Sequence, residues 1–321
     1  MGKIGLVFSG QGSQFVGMGG DLCERHETFR NIFARAREIL DTDILSLCLN
    51  GPREKLDQTV YTQLAVLTFE IAAFETLREF NVLTPAAVAG HSLGEYSAVY
   101  ASGALGLEEI LTLVRSRAKH HEEAVPKGIG AMAAIVGLTL DQVKSLVEES
   151  SRGDEPVDLA NINAPNQAVV SGHARAVERL MEKAKETGAK LVVHLPISAP
   201  CHCRLLTEAS GRFQKDLERA NFKPFEYPVI PNCDPAVFYT PESAPELLRR
   251  QIISPVRWQE TIEKMAQMGI EIVVEVGPKR VLSGLIKNIC RDIKLYYIGD
   301  SDSLRIFGKP ETPFYRLSEC R

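Results

Sequence analysis

No stretch of this 321-residue chain approaches the ~18 consecutive apolar residues of a membrane-spanning helix. No basic segment precedes a short apolar one at the N-terminus. A strand-like run over residues 4–8 begins almost at once, so no secretory signal is expected. The myristoylation pattern is broken as well, because Leu6 stands where it needs Ser or Thr. A dominant charge is also missing: the formal net charge is −4, which makes nucleic acid a poor partner. The seven cysteines are odd in number, scattered and without a Cys-x-x-Cys pair. That favours free thiols in a reducing cytoplasm over a disulfide framework. Internal repeats and low-complexity tracts are absent. What is there is ordinary globular composition, 45 % apolar and 24 % charged, with length enough for one large domain or two modest ones.

Apolar periodicity divides the chain into three stretches. In the first, strand 4–8 runs into a Gly-rich loop, Gly10-Gln11-Gly12-Ser13-Gln14. An amphipathic helix follows, with Phe29, Ile32, Phe33, Ala36 and Leu40 on one stripe. Further helices are expected over about 63–80, from about Gly94 to Gly103, and over about 107–124, with a short buried strand over 86–90. Such alternation implies an α/β layer structure on a parallel sheet. From 131 to 195 the order becomes β (131–136), α (141–149), β (157–163), β (167–171), α (176–187), β (190–195), which is the ferredoxin-like arrangement. This stretch lies between the Pro126/Gly128/Gly130 cluster and the Pro196/Pro200 pair. The expected organisation is therefore an α/β-hydrolase-like domain over 1–128 and 199–300, with a ferredoxin-like subdomain over 129–198. A strand over 271–276 resumes the α/β pattern, and 301–321 reads as a tail without periodicity.

The strongest chemical signal is Gly90-His91-Ser92-Leu93-Gly94, a Gly-x-Ser-x-Gly motif between an expected strand and an expected helix. A nucleophile elbow needs that context: the tight turn exposes the serine, and the helix N-terminus behind it favours developing negative charge. The Gly10–Gln14 loop has two readings. A dinucleotide fingerprint opening at Gly10 would need a third glycine where Phe15 stands, and no Lys-Ser/Thr pair follows. The better reading aims a loop N–H at the active site, where it forms an oxyanion hole with the N–H of Leu93.

A serine nucleophile needs a base, and there are seven histidines. His91 adjoins Ser92 and should diverge from it in a sharp turn. His120 and His121 lie on a helix and are expected at its surface or edge, while His26, His173 and His194 have no special context. His202, in Ser198-Ala199-Pro200-Cys201-His202-Cys203, stands where the inserted stretch returns to the larger domain, at an expected cleft. The residues alone leave the choice of base open. Zinc at Cys201-His202-Cys203 is disfavoured because consecutive ligands lack the usual spacing. The acids between Ser92 and His202, among them Glu108, Glu122, Asp141, Asp154 and Asp158, have no evident claim to orient an imidazole. Arg115 and Arg117 both flank the apolar stripe of their helix, with Arg117 slightly nearer its centre; periodicity barely separates them.

Taken together these motifs resemble the malonyl-CoA:acyl-carrier-protein transacylases of bacterial fatty-acid synthesis. The resemblance covers about residues 3–300 and extends through Thr62-Gln63, Glu95-Tyr96-Ser97, Asn161, Gln251, Pro255-Val256 and Glu275-Val276-Gly277-Pro278. It implies Ser92 as nucleophile, His202 as base, and the Gln11 and Leu93 N–H groups as oxyanion hole. By the same resemblance Arg117 binds the malonate carboxylate, and the Gln251 carbonyl orients the histidine in place of an acid. Gln63, Asn161 and Cys201 are implied as pocket residues. The implied substrate is malonyl-CoA and the implied partner is acyl carrier protein carrying phosphopantetheine, with no metal or other cofactor and no membrane. Two residues depart from the pattern: Cys201 where Ser or Phe is common, and Lys279 where Gly is common. Lys279, Arg280, Lys287, Arg291 and Lys294 form a late basic cluster suited to an acidic carrier. Alternatives are a trans-acting polyketide-synthase or malonate-metabolism acyltransferase, an acyl-thioester hydrolase, and a non-catalytic carrier-docking subunit.

Overall fold

The computed structural model describes residues 2–80, 84–126, 128–196 and 199–308. The first stretch contains β1 (Lys3–Phe8), α1 (Gly20–Arg25), α2 (Glu27–Leu40), α3 (Ile44–Asn50), α4 (Arg53–Leu56), α5 (Thr59–Arg78), β2 (Ala87–Gly90), α6 (Gly94–Ala101) and α7 (Leu107–Ala124). The second contains β3 (Gly130–Val136), α8 (Leu140–Ser150), β4 (Val157–Ala164), β5 (Gln167–His173), α9 (Ala174–Glu186) and β6 (Leu191–His194). The last contains α10 (Thr207–Arg219), α11 (Ala244–Ile253), α12 (Trp258–Gln267), β7 (Ile270–Val276), α13 (Leu282–Ile289), β8 (Lys294–Ile298) and α14 (Ser301–Leu304).

One sheet runs β2-β1-β7-β8, every pair parallel. Its central strand β1 is apolar and buried from Ile4 to Phe8, as expected of a strand covered on both faces. Against it packs α5, buried on nearly every side from Leu64 to Phe74. The second sheet runs β4-β5-β3-β6 and is antiparallel throughout, which is the ferredoxin-like order. Alternation along β3 assigns its two faces: Ala133 and Ile135 pack with α8 and α9, while Met132 and Ala134 face the other way, toward Cys201. A main-chain link ties this sheet to the larger unit, with Ile162 N–H donating to Val256 O at 2.9 Å and Val256 N–H to Ala160 O at 2.8 Å.

Two expectations need correction. The tail is not featureless from residue 301: α14 and the 3-10 turn after it, Arg305–Gly308, bury Leu304 and Phe307 in the main core. Their i, i+3 pair is too short to register as a period, and Asp300 caps the turn by accepting from Ser303 N–H at 2.7 Å. The rest of the expected tail, 309–321, lies outside the described residues. His121 is not at a surface either. It is fully buried, because it continues the inward stripe of α7 one turn beyond Arg117.

Candidate active site

The elbow is built by close approach. Strand β2 lies beside β1, and α6 starts against the end of β1. A side chain on Gly94 would meet the carbonyl oxygens of Ser9 and Phe8 at 2.2 and 2.3 Å, and one on Gly90 would meet Gly94 at 1.9 Å. Between these glycines Ser92 adopts φ 53°, the left-handed conformation that a non-glycine residue holds only when its surroundings impose it. The imposing residue is Asn232, fully buried, which accepts from Ser92 N–H at 2.7 Å and donates to Gly90 O at 2.7 Å. Asn232 lies 140 residues away in sequence, and no motif announces it.

His202 also sits at positive φ, 59°. Its Nε2 is 2.6 Å from Ser92 Oγ, and its Nδ1 is 2.8 Å from the main-chain oxygen of Gln251. A carbonyl only accepts, so Nδ1 carries the hydrogen and Nε2 presents its lone pair to the serine. Burial, and next the Arg117 charge, push the imidazole pKa down to about 3, so the ring is neutral, with its Nε2 lone pair facing the serine hydroxyl. His91 turns away, as its position beside the nucleophile implies: its Nε2 meets Asn163 Oδ1 at 2.8 Å and its ring packs edge-on to Trp258. Asp158 forms a salt bridge with Arg204 rather than reaching the histidine.

A cavity of about 230 Å³ opens beside this dyad. Gln11, Leu93, Arg117, Asn161 and Cys201 all line it, together with Met132 and Val169 of the ferredoxin-like sheet and Val281, Leu282 and Leu285 from the start of α13. Ser92 N–H is committed to Asn232, while Leu93, whose N–H lies at the start of α6, lines the cavity. Gln63 is not on the cavity wall as expected. It lies behind, fully buried, where its Oε1 accepts from Arg117 Nη1 at 2.6 Å.

The structure separates the two arginines that periodicity left together. Arg115 is exposed, whereas Arg117 is 1 % exposed, one of the largest side chains buried in the molecule. Arg117 Nη2 reaches Gln251 Oε1 at 3.2 Å, and the guanidinium lies over the Tyr96 ring. Both glutamine acceptors are neutral. The nearby Glu95 carboxyl accepts from Tyr239, Gln251 and Asn232, and burial raises its pKa to about 7 despite those bonds. Arg117 therefore brings a buried positive charge to a cavity with no ion-paired carboxylate among the described residues. Cys201 Sγ lies 3.7 Å from His121 Nδ1, and burial raises its thiol pKa.

No helix among the described residues is long and apolar enough to cross a membrane. Nor does any group of three or more His, Cys, Asp or Glu residues among them stand ready to hold a metal ion.

Comparison with known proteins agrees with this geometry. The acyl transferase domain family matches residues 6–308. A malonyl CoA-acyl carrier protein transacylase of Bacillus subtilis is 40 % identical over 306 residues, 95 % of this chain and 96 % of that one. An acyl carrier protein S-malonyltransferase of Vibrio cholerae superposes with a TM-score of 0.91 at 39 % identity, covering 94 % of this chain and 99 % of the other. A malonyl-transacylase solved in complex with a type II PKS acyl-carrier protein gives 0.92 at 37 %, covering 94 % and 98 %. With its serine elbow, carbonyl-oriented histidine and buried arginine in place, the chain belongs to the acyl transferase domain family.

Proposed function

We propose that the protein moves a malonyl group from malonyl-CoA to the phosphopantetheine thiol of acyl carrier protein through a malonyl-Ser92 intermediate. The observation that carries this reading is the buried Arg117, in no ion pair among the described residues, on the wall of the cavity that holds Ser92 and His202. An acyl group with a free carboxylate completes that charge; a plain acetyl group does not.

Ser92 Oγ attacks the thioester carbonyl as His202 Nε2 takes its proton, and the Gln11 and Leu93 N–H groups hold the oxyanion. Collapse expels CoA, whose sulfur receives the proton back from His202. The carrier thiol then attacks the malonyl ester, His202 takes the thiol proton, and Ser92 leaves with it. Every step uses groups of this chain and its two substrates, so the reading includes no metal and no redox cofactor. Asn161 and Cys201 line the same cavity, and on this reading they flank the acyl group. The cytoplasm, where both substrates of such a reaction reside, is the compartment of this reading.

Intact-protein mass spectrometry tests it. Malonyl-CoA should add one malonyl mass, acetyl-CoA far less, and added holo-carrier should remove that mass and gain it. Loss of the malonyl group to water as fast without carrier as with it would instead identify a thioester hydrolase. Parallel assays with fatty-acid and polyketide carriers decide which pathway the enzyme serves.

A further inference from the structure

Glu70 is an acid without a place in that chemistry, yet it is fully buried in the middle of α5. Its Oε1 lies 2.6 Å from Ser9 Oγ, at the end of β1, and its Oε2 lies 2.6 Å from Ser97 Oγ, on α6. Ser9 Oγ is in turn 3.1 Å from Ser13 Oγ, which donates to Gly10 O at 2.8 Å. The two ends of this chain matter. Gly10 to Ser13 is the loop that carries the Gln11 N–H, and α6 is the helix that begins beside the Leu93 N–H. Glu70 thus spans the two segments that supply the oxyanion hole. The cluster is packed tightly from the β7–α13 side as well, since a side chain on Gly277 would strike Ser9 Oγ at 2.2 Å.

Hydrogen counting gives the network a direction. There are four contacts: Ser97 with Glu70, Glu70 with Ser9, Ser9 with Ser13, and Ser13 with Gly10 O. Three serine hydroxyls supply three hydrogens, and a protonated Glu70 supplies the fourth. Each group then donates once toward the loop and no contact lacks a hydrogen. An ionised carboxylate would leave one contact without a hydrogen. Burial favours the neutral acid and holds the Glu70 carboxyl well above the usual carboxylate range, although the Ser9 and Ser97 hydrogen bonds pull it the other way; Glu275 adds to the rise.

We propose that Glu70 is a positioning residue: with Ser9, Ser13 and Ser97 it forms a buried hydrogen-bond relay that fixes the separation of the two oxyanion donors. The proposal rests on Ser92 acylation as read above. An oxyanion hole acts through preorganised donors, and displacement of catalytic geometry by about 1 Å can slow a reaction on the order of 10²-fold.

Single-turnover acylation by malonyl-CoA, followed by quenched intact-mass measurement, tests the relay in Glu70→Met, Glu70→Gln, Ser9→Ala and Ser92→Ala. Glu70→Met should lower the saturated acylation rate about 10- to 100-fold with the half-saturating concentration changed less than about twofold. Glu70→Gln should hold within about threefold of the parent, because an amide donates to Ser9 and accepts from Ser97 as the neutral acid does. Ser9→Ala, a smaller change that keeps the proposal testable if Glu70→Met fails to fold, should lower the same rate several-fold. The relay is overturned if Glu70→Gln is as slow as Glu70→Met. It is equally overturned if the loss lies only in half-saturation or thermal midpoint, or if Ser9→Ala acylates at the parent rate. Labelling that persists in Ser92→Ala would strike the nucleophile reading instead, and is thereby separate.

Discussion

The main-chain oxygen of Gln251 stands 2.8 Å from Nδ1 of His202, where a Ser-His-Asp triad would place its carboxylate. The carbonyl fixes the tautomer and aims Nε2 at Ser92, but it brings no negative charge to stabilise an imidazolium. The same glutamine uses its side chain on the other partners, donating to Ser92 O at 2.7 Å and accepting from Arg117. One residue therefore links the imidazole, the serine turn and the buried guanidinium.

An acid-free base makes the first prediction. His202→Ala should slow Ser92 acylation about 10²–10⁴-fold, the usual worth of a general base. Asp158→Asn should leave acylation within about threefold, because Asp158 serves Arg204 rather than the imidazole. Mass-quench acylation rates in both variants check this; a collapse in Asp158→Asn would restore the acid-triad reading.

The second prediction concerns pH. Burial first and the Arg117 charge second depress the His202 pKa to about 3 from its ordinary 6.5. The base is active when neutral, so acylation should persist as pH falls through 6.5 and fail only well below it. Removing a neighbouring positive charge makes protonation easier, so Arg117→Ala should move the acid limb to higher pH, read with acetyl-CoA to avoid the lost carboxylate contact. Sign and stability agree: below 6.5 the unfolded chain gains a proton on this histidine that the folded one refuses. Folding stability from this group therefore declines as pH drops from 6.5 toward about 3. An acid limb centred on 6.5 in the parent would contradict the buried, neutral imidazole.

What the sequence revealed and what it concealed follow one physical division. Ser92 was legible because an elbow demands glycines on both sides, and steric demands leave marks in neighbouring residues. The β4-β5-β3-β6 sheet was legible because its strands and helices keep clean periods. The support of Ser92 and His202 was not. A main-chain carbonyl such as that of Gln251 has no side-chain signature, and Asn232 reaches Ser92 across 140 residues. Arg115 and Arg117 differ by two positions on a helix, a 200° turn that a stripe with both at its margins does not resolve. Glu70, set among apolar neighbours of α5, acquires a role only when Ser9 and Ser97 are brought to it from two other elements.

Carrier docking gives the third prediction. Val281, Leu282 and Leu285 line the cavity, while Lys287 and Arg291, near the far end of α13, are exposed and in no ion pair among the described residues. Lys279 is engaged otherwise: its Nζ donates to Gln14 O at 3.1 Å and lies over the Phe15 ring. An acidic carrier steered to Lys287 and Arg291 would arrive close to the cavity mouth. Lys287→Glu with Arg291→Glu should weaken transfer to the carrier, most at low salt, and leave acylation from malonyl-CoA unchanged. Equal effects on both half-reactions, or none on either, would remove this surface from the mechanism.

The last prediction decides substrate choice. Arg117 is held by Gln63, Gln251 and the Tyr96 ring, all neutral, so its charge is oriented without a direct ion pair among the described residues. A malonyl carboxylate entering the cavity supplies the missing anion, and the planar guanidinium can hold both of its oxygens. Removing one partner of such a buried pair typically costs about 2–5 kcal/mol. At ~1.4 kcal/mol per tenfold, that is roughly 30-fold to a few thousand-fold. Arg117→Ala should lose malonyl transfer on this scale while acetyl transfer holds or rises, because acetyl has no charge to pair. Arg115→Ala should leave both alone, since that side chain is exposed and its contact is a 3.5 Å bond to Ile39 O. The measurement is kcat/KM for malonyl-CoA and acetyl-CoA in both variants. Inversion of preference in Arg115→Ala and not in Arg117→Ala would assign the clamp to the other arginine. An unchanged preference in both would mean that malonate is selected by cavity shape rather than by charge.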